Sequence, residues 1–149
     1  MKNRIEFKDF DLWKSINTFM DVNDYLTTII DHYKIPSDFL IFFSDLIFPE
    51  FIIIDEMIFL KNHFKEEYFN RLLKEKTSCS EIEYWMNLVL ISSYFPDSDE
   101  FIDHALFLAE KLKKSIDLKL KNDFPNKMFS VNFTYDQDNG DVLFTFYQK

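Results

Sequence analysis

Gly140 is the only glycine among 149 residues, so nearly every sharp turn in this chain must be made by a residue that carries a Cβ. Positive φ costs such a residue about 1–2 kcal/mol, and a glycine is therefore expected where a turn needs it most. Gly140 stands in FTYDQDNGDVLF, residues 133–144, between two alternating apolar runs. Asn139-Gly140 is the favoured pair for a two-residue type I′ hairpin, in which both central residues take positive φ. Pairing outward from that turn sets Tyr135 opposite Phe144 and Phe133 opposite Phe146, with Val142 on the same face. The other face receives Thr134 opposite Thr145 and Asn132 beside Tyr147. A single glycine also argues against phosphate-cradling loops, dinucleotide fingerprints and nucleophile elbows, which each need several.

Elsewhere the apolar spacing is helical. After Asp11, read as an N-cap, Leu12, Trp13, Ile16, Phe19 and Met20 share a face, and Val22 to Tyr33 repeats the pattern before Pro36. Ser37 caps a third helix, Phe39 to Phe48, whose apolar residues on nearly all sides predict burial. In FIIIDEMIFL, residues 51–60, the Ile52–Ile54 triplet suits a strand that turns at Asp55-Glu56 into Met57–Leu60. Asp-Glu is a poor two-residue turn, because neither residue takes positive φ cheaply. A further helix runs through Phe64, Phe69, Leu72 and Leu73, with Glu67 and Arg71 paired four apart. Ser80-Glu81-Ile82-Glu83 reads as a capping box opening a helix with Trp85, Met86, Val89, Leu90 and Ile91. Ser98 opens the longest helix, with the stripe Phe101, Ile102, Ala105, Leu106, Ala109, Leu112 and Ile116, which ends before Pro125. The pattern predicts one globular domain, 1–149, of the α+β class. It is mostly helical, with about six helices, a C-terminal β-hairpin and a short central hairpin as a further element.

Charge narrows the range of partners. A net charge of -9 and a pI near 4.7 repel phosphate backbones and anionic lipid, so nucleic-acid and membrane-surface binding are disfavoured and a basic partner is favoured. The nineteen phenylalanines accompany many Ile, Asn, Asp and Lys and only two arginines, Arg4 and Arg71, a set that an A/T-rich coding bias produces. Cys79, the single cysteine, cannot form an internal disulfide, which fits a reducing cytoplasm. The first residues, MKNRIEFKD, place charges where a signal peptide needs an apolar core. Phe39–Leu60 is apolar enough to suggest a membrane span, but it contains Asp45, Glu50, Asp55, Glu56 and Pro49. Each acid near mid-bilayer costs about 2.5–3.5 kcal/mol, so the segment is expected in a protein core.

No residue set fits a catalytic, cofactor or metal motif. Asp136, Asp138 and Asp141 crowd the hairpin turn, but with Gly140 sixth in a calcium loop the first ligand is Tyr135 and the twelfth Phe146. His32, His63 and His104 lie on separate elements without zinc spacing. Cys79 in TSCSE precedes a helix start, and no histidine is near it in sequence. An enzyme site assembled from distant residues, such as Glu83, Asn87 and a histidine, stays open as one alternative, and a structural or regulatory subunit that oligomerises through its apolar middle as another. What remains is surface. Asp97, Asp99, Glu100 and Asp103 in PDSDEFID, with Asp136, Asp138 and Asp141 in DQDNGD, form two acidic clusters that meet if the hairpin packs near the start of the long helix. Phe95, Phe101, Tyr135 and Tyr147 would supply aromatic anchors for a partner.

In overall character, with the stretches EIEYWMNLVLISSYFP and DFPNKMFSVNFTYDQDNGDVLFTFYQK, the chain resembles the small acidic bacterial immunity proteins of polymorphic and contact-dependent toxin systems. The resemblance implies a one-to-one complex with a basic, nuclease-like toxin domain whose active site or substrate groove is covered. It implies no cofactor and assigns no role to any residue here.

Overall fold

The computed structural model describes residues 5–75, 78–96 and 101–149. Among them are six helices and two antiparallel sheets, an α+β arrangement, and the chain divides into two compact units with the boundary after Phe42.

The first unit holds α1 (Lys8–Ile16), α2 (Val22–His32) and the beginning of α3 (Ser37–Ile47). Helix α1 starts ahead of Asp11, which lies in its first turn instead of capping it. The capped helix is α2: Asp21 accepts from the Asn23 and Asp24 amides, and the Asp24 carboxylate accepts the Asp21 amide in return. Phe10 and Trp13 of α1 pack edge-on to Tyr25 of α2 at 5.2 and 5.3 Å. Lys34, at φ 50°, ends α2 before Pro36. Helix α3 begins at Ser37 and departs from the burial expected of it. Leu46 is its one buried residue, Phe43 packs beside it on the second unit's core, and Phe39, Ile41, Phe42 and Phe48 are exposed. A largely apolar helix forms here with most of its apolar residues exposed.

The second unit, Phe43–Lys149, is built around β2 (Met57–Leu60), all four residues of which are buried. It pairs with β1 (Phe51–Ile54) through Asp55-Glu56, so the central hairpin is real. Asp55 and Glu56 both adopt positive φ, 49° and 67°, and make the two-residue turn that their side chains disfavour. The Glu56 carbonyl is held there by Lys127 Nζ at 3.1 Å and Gln148 Nε2 at 2.9 Å. Alternation along β2 then feeds two cores. Ile58 and Leu60 enter the larger one, while Met57 and Phe59 pack with Phe69 and Leu72 of α4 (Glu66–Lys74) and Ile82 and Met86 of α5 (Cys79–Met86). Within α4, Arg71 lies over the Tyr68 ring at 4.8 Å.

The cap of α5 is also not where the sequence pattern puts it. S-x-x-E occurs twice in overlap, and Ser78 with Glu81 forms the box, leaving Ser80 and Glu83 to other partners. The helix stops at Met86. Val89–Leu90 form a short strand, β3, and Ile91–Tyr94 a 3-10 turn, while Trp85 faces out. Ser98 lies outside the described residues; α6 runs Ile102–Asp123 and presents Ala105, Ala109, Leu112, Ile116 and Leu120 to the second sheet.

That sheet has the order β3–β5–β4, with β4 Phe129–Asp136 and β5 Asp141–Gln148. The C-terminal hairpin forms, but its register differs by two residues from the type I′ expectation. Phe133 faces Phe144, Tyr135 faces Val142, Thr134 faces Leu143 and Asn132 faces Thr145. The loop has four residues, 137–140, and within it Gly140 takes the positive φ, 70°. The Asp136 carboxylate draws the turn closed by accepting the Asp138 amide at 3.0 Å and Asn139 Nδ2 at 2.8 Å. A shift of two preserves which side chains share a face, so Val142, Phe144 and Phe146 still reach the core.

The strained Asp55-Glu56 turn gives a direct prediction. Replacing the pair by Asn-Gly relieves two positive-φ penalties and stabilises the protein by about 1–2 kcal/mol, a Tm rise of about 2–6 °C. An unchanged or lower Tm in a thermal melt contradicts the left-handed geometry of the turn.

Candidate functional site

The hairpin that carries the acidic turn is fixed to the rest of its unit by two buried side chains, Glu83 and Asn87, both 0 % exposed. They lie four apart, one at the end of α5 and one just past it, and so point the same way. Backbone groups of Ile58 and Leu60 face away from β1, and those of Phe146 and Gln148 face away from β4. Glu83 Oε1 accepts the Ile58 amide at 2.7 Å and Gln148 Nε2 at 2.6 Å, and Oε2 accepts the Gln148 amide at 2.6 Å. Asn87 Oδ1 accepts the Leu60 amide at 2.9 Å, while Nδ2 donates to the carbonyls of Ile58 at 2.9 Å and Phe146 at 3.2 Å. The two side chains act as a surrogate strand between the sheets. Ser80 Oγ adds a bond to the Gln148 carbonyl at 2.8 Å and Thr145 Oγ1 one to the Tyr84 carbonyl at 2.7 Å. Every hydrogen-bonding side-chain atom of the pair is thus engaged with main chain or with Gln148, a structural role for the residues considered for an enzyme site.

The other end of β5 is tied as well. Ser92 Oγ donates to Asp141 Oδ1 and accepts the Val142 amide, each at 3.3 Å. Between these anchors the hairpin runs back along α6. Phe129 meets Phe124 at the helix end, with ring centroids 6.0 Å apart, and Phe133 lies under Lys113 at 6.0 Å, about three turns earlier. The strand continues toward the N-terminal half of α6 and carries Tyr135 and the turn with it.

Of the residues singled out from the sequence, Asp136, Asp138, Asp141 and Tyr135 therefore meet at one tip. Tyr135 and Asp138 are exposed and Asp141 is half-buried. The bonds from Asn139 and from the Asp138 amide hold the Asp136 carboxyl below the usual carboxylate range, so it is charged at neutral pH. Asp103 is exposed in the first turn of α6, the helix end toward which the hairpin runs. Beside it His104 stacks on Phe101 at 5.5 Å and on Phe95 at 6.4 Å. Asp97, Asp99 and Glu100 lie outside the described residues. Tyr147 is apart from the tip, six residues along β5 and so about 20 Å away, where its ring lies 5.9 Å from Tyr84.

Sequence reasoning missed the frame of Glu83 and Asn87. Its signal is an i, i+4 polar pair set between Ile82, Met86 and Val89, all of which are buried. The three histidines do not converge on it: His32 packs on Tyr33, His104 on its phenylalanines, and His63 sits in the 3-10 turn after β2. Burial, helped by the Lys65 charge, lowers the His63 pKa. Among the described residues no cluster of three His, Cys, Asp or Glu side chains is placed to hold a metal ion, and no helix is long and apolar enough to cross a membrane.

Compared with known proteins, the chain matches no family model, no curated protein and no solved structure.

One prediction follows from these bonds and a second from His63. Asn87→Ala leaves two carbonyls and one amide without their buried partner and costs about 2–4 kcal/mol, read as a lower urea midpoint. Ser80→Ala, which removes one hydroxyl bond, costs about 1 kcal/mol, and equal effects for the two contradict the assignment of the frame to Asn87. For His63, the folded chain binds the proton more weakly than the unfolded chain. The stability tied to the neutral ring is complete above the ordinary value of 6.5 and is lost as pH falls through the lower folded-state value. His63→Gln therefore flattens the fall in Tm on acidification, and an unaltered pH profile contradicts this.

Proposed function

We propose that this chain is a binding protein that neutralises a basic partner, in its specific form an immunity protein for a toxin domain, and that the tip of the β4–β5 hairpin is the surface it presents. The observation that carries the reading is the gathering of Asp136, Asp138 and Asp141 beside exposed Tyr135, on a chain of net charge -9. Carboxylates on a tight turn can enter a cationic groove and occupy the lysines and arginines that would otherwise hold phosphate. The net charge steers the encounter, and the tyrosine gives the complex an apolar anchor once water is expelled.

Rigidity supports the same reading. The tip is held at both ends of β5, by Ser92 on one side and by Glu83 and Asn87 on the other. A pre-ordered loop loses little conformational entropy on binding, so more of the interaction energy appears as affinity. Asp103 at the start of α6 would extend the negative surface.

The test is to isolate the partner from native lysate at low salt and measure association by surface plasmon resonance. The double reversal Asp136→Lys/Asp138→Lys lowers the association rate by about 10-fold or more and weakens its salt dependence. Unchanged rate, affinity and salt dependence in that variant contradict the assignment of the tip.

A further inference from the structure

Asn139 stands before the only glycine, and that pairing has a chemical consequence beyond the turn. The chain has ten asparagines, and Asn139 alone is followed by glycine. At every other position the next residue carries a Cβ, which crowds the approach of its main-chain nitrogen to the asparagine Cγ. Asn23 and Asn122, each followed by an aspartate, lie within α2 and α6, where helical geometry fixes the following amide. Asn87 is buried, with both of its side-chain polar atoms bonded.

Asn139 is held far less firmly. It is exposed in the loop between β4 and β5. Gly140 is buried but has no side chain, and it takes φ 70°, so water reaches the pair from the side of Asn139. Among the described residues one bond holds the Asn139 side chain, from Nδ2 to Asp136 Oδ2 at 2.8 Å. Releasing a single exposed hydrogen bond slows a reaction by about 3- to 10-fold, which delays it without stopping it.

We propose that Asn139 is a site of spontaneous deamidation, and that its product opens the loop that the asparagine closes. The Gly140 nitrogen bonds to Asn139 Cγ, the Cγ–Nδ2 bond breaks, and the proton displaced from Gly140 leaves with Nδ2 as ammonia. The cyclic imide then takes up water. Cleavage on the Cγ side gives aspartate; cleavage at the main-chain carbonyl gives isoaspartate, in which the chain runs through Cβ and Cγ. In the aspartate form a carboxylate oxygen stands where Nδ2 donated to Asp136, so an attraction becomes a repulsion between like charges. The isoaspartate form also lengthens the loop by one methylene. Either product adds a negative charge beside Asp136, Asp138 and Asp141. The reaction needs only water and is independent of the partner read for the tip.

The experiment follows the full chain by peptide mapping in heavy-oxygen water at mildly alkaline pH, both folded and in urea. Asn139 is converted before any other asparagine, to aspartate and isoaspartate that each carry one heavy oxygen. Its rate in the folded chain is within about 10-fold of the unfolded rate, and Asp136→Ala, which frees the amide, removes most of that difference. In the converted chain the Asp136 carboxyl has lost its Asn139 donor, and by NMR it titrates at higher pH than in the fresh chain. An Asn139 that outlasts another asparagine, a folded rate more than about 100-fold below the unfolded one, or a reaction that Asp136→Ala does not quicken overturns the site. An Asp136 titration that does not move overturns the opening of the loop.

Discussion

Two hydrogen-bonding side chains, four residues apart, hold this fold's second unit together. Its two sheets present facing strand edges, β2 on one side and the end of β5 on the other, and among the described residues no strand lies between them. Left open, those edges would bury unpaired amides and carbonyls, at about 1–3 kcal/mol for each group. Glu83 and Asn87 close the gap from the side of α5. The arrangement places a carboxylate in the interior, which is tolerable because three N–H donors surround it. It also explains why β2 is buried on both faces and bonded along both edges, so that it serves two cores at once.

The same frame governs the surface. Because Gln148 and Phe146 are pinned, β5 leaves the frame in a fixed direction, and β4 folds back on it along α6. Placement of the acidic turn at the far end of the hairpin is thus a consequence of packing some 20 Å away. Surface charge on this chain is abundant; what distinguishes the tip is that the backbone beneath it is held.

Much of the fold is legible in the sequence, and the misreadings have physical causes. Alternation about Asn139-Gly140 identified the C-terminal hairpin, the β-branched run Ile52–Ile54 identified the central one, and the stripe from Ala105 to Ile116 identified α6. Turn chemistry gave the wrong register at one hairpin, and at the other it argued against a turn that the strand pattern predicted and that forms. Asn139-Gly140, the better type I′ pair, instead ends a four-residue loop because the Asp136 side chain captures the Asp138 amide and the Asn139 side chain. Asp55-Glu56, the worse pair, makes the tight turn because Lys127 and Gln148 hold the Glu56 carbonyl from afar. Local side-chain bonds decided the first turn and tertiary bonds the second. The overlapping S-x-x-E motifs show the same effect: Ser78 caps, since Glu83 is claimed by the interior. A carboxylate on a helix reads as a wet face, and only the fold reveals that this one is enclosed.

The central claim is that side chains, and not a strand, close the gap between the sheets. Native-state amide exchange tests it most directly at Ile58, Leu60 and Gln148, whose N–H groups point into that gap. The account predicts slow exchange for all three, comparable to the paired core of β5, with release only on global unfolding. Rapid exchange at these amides, with β5 still protected against β4, would contradict it.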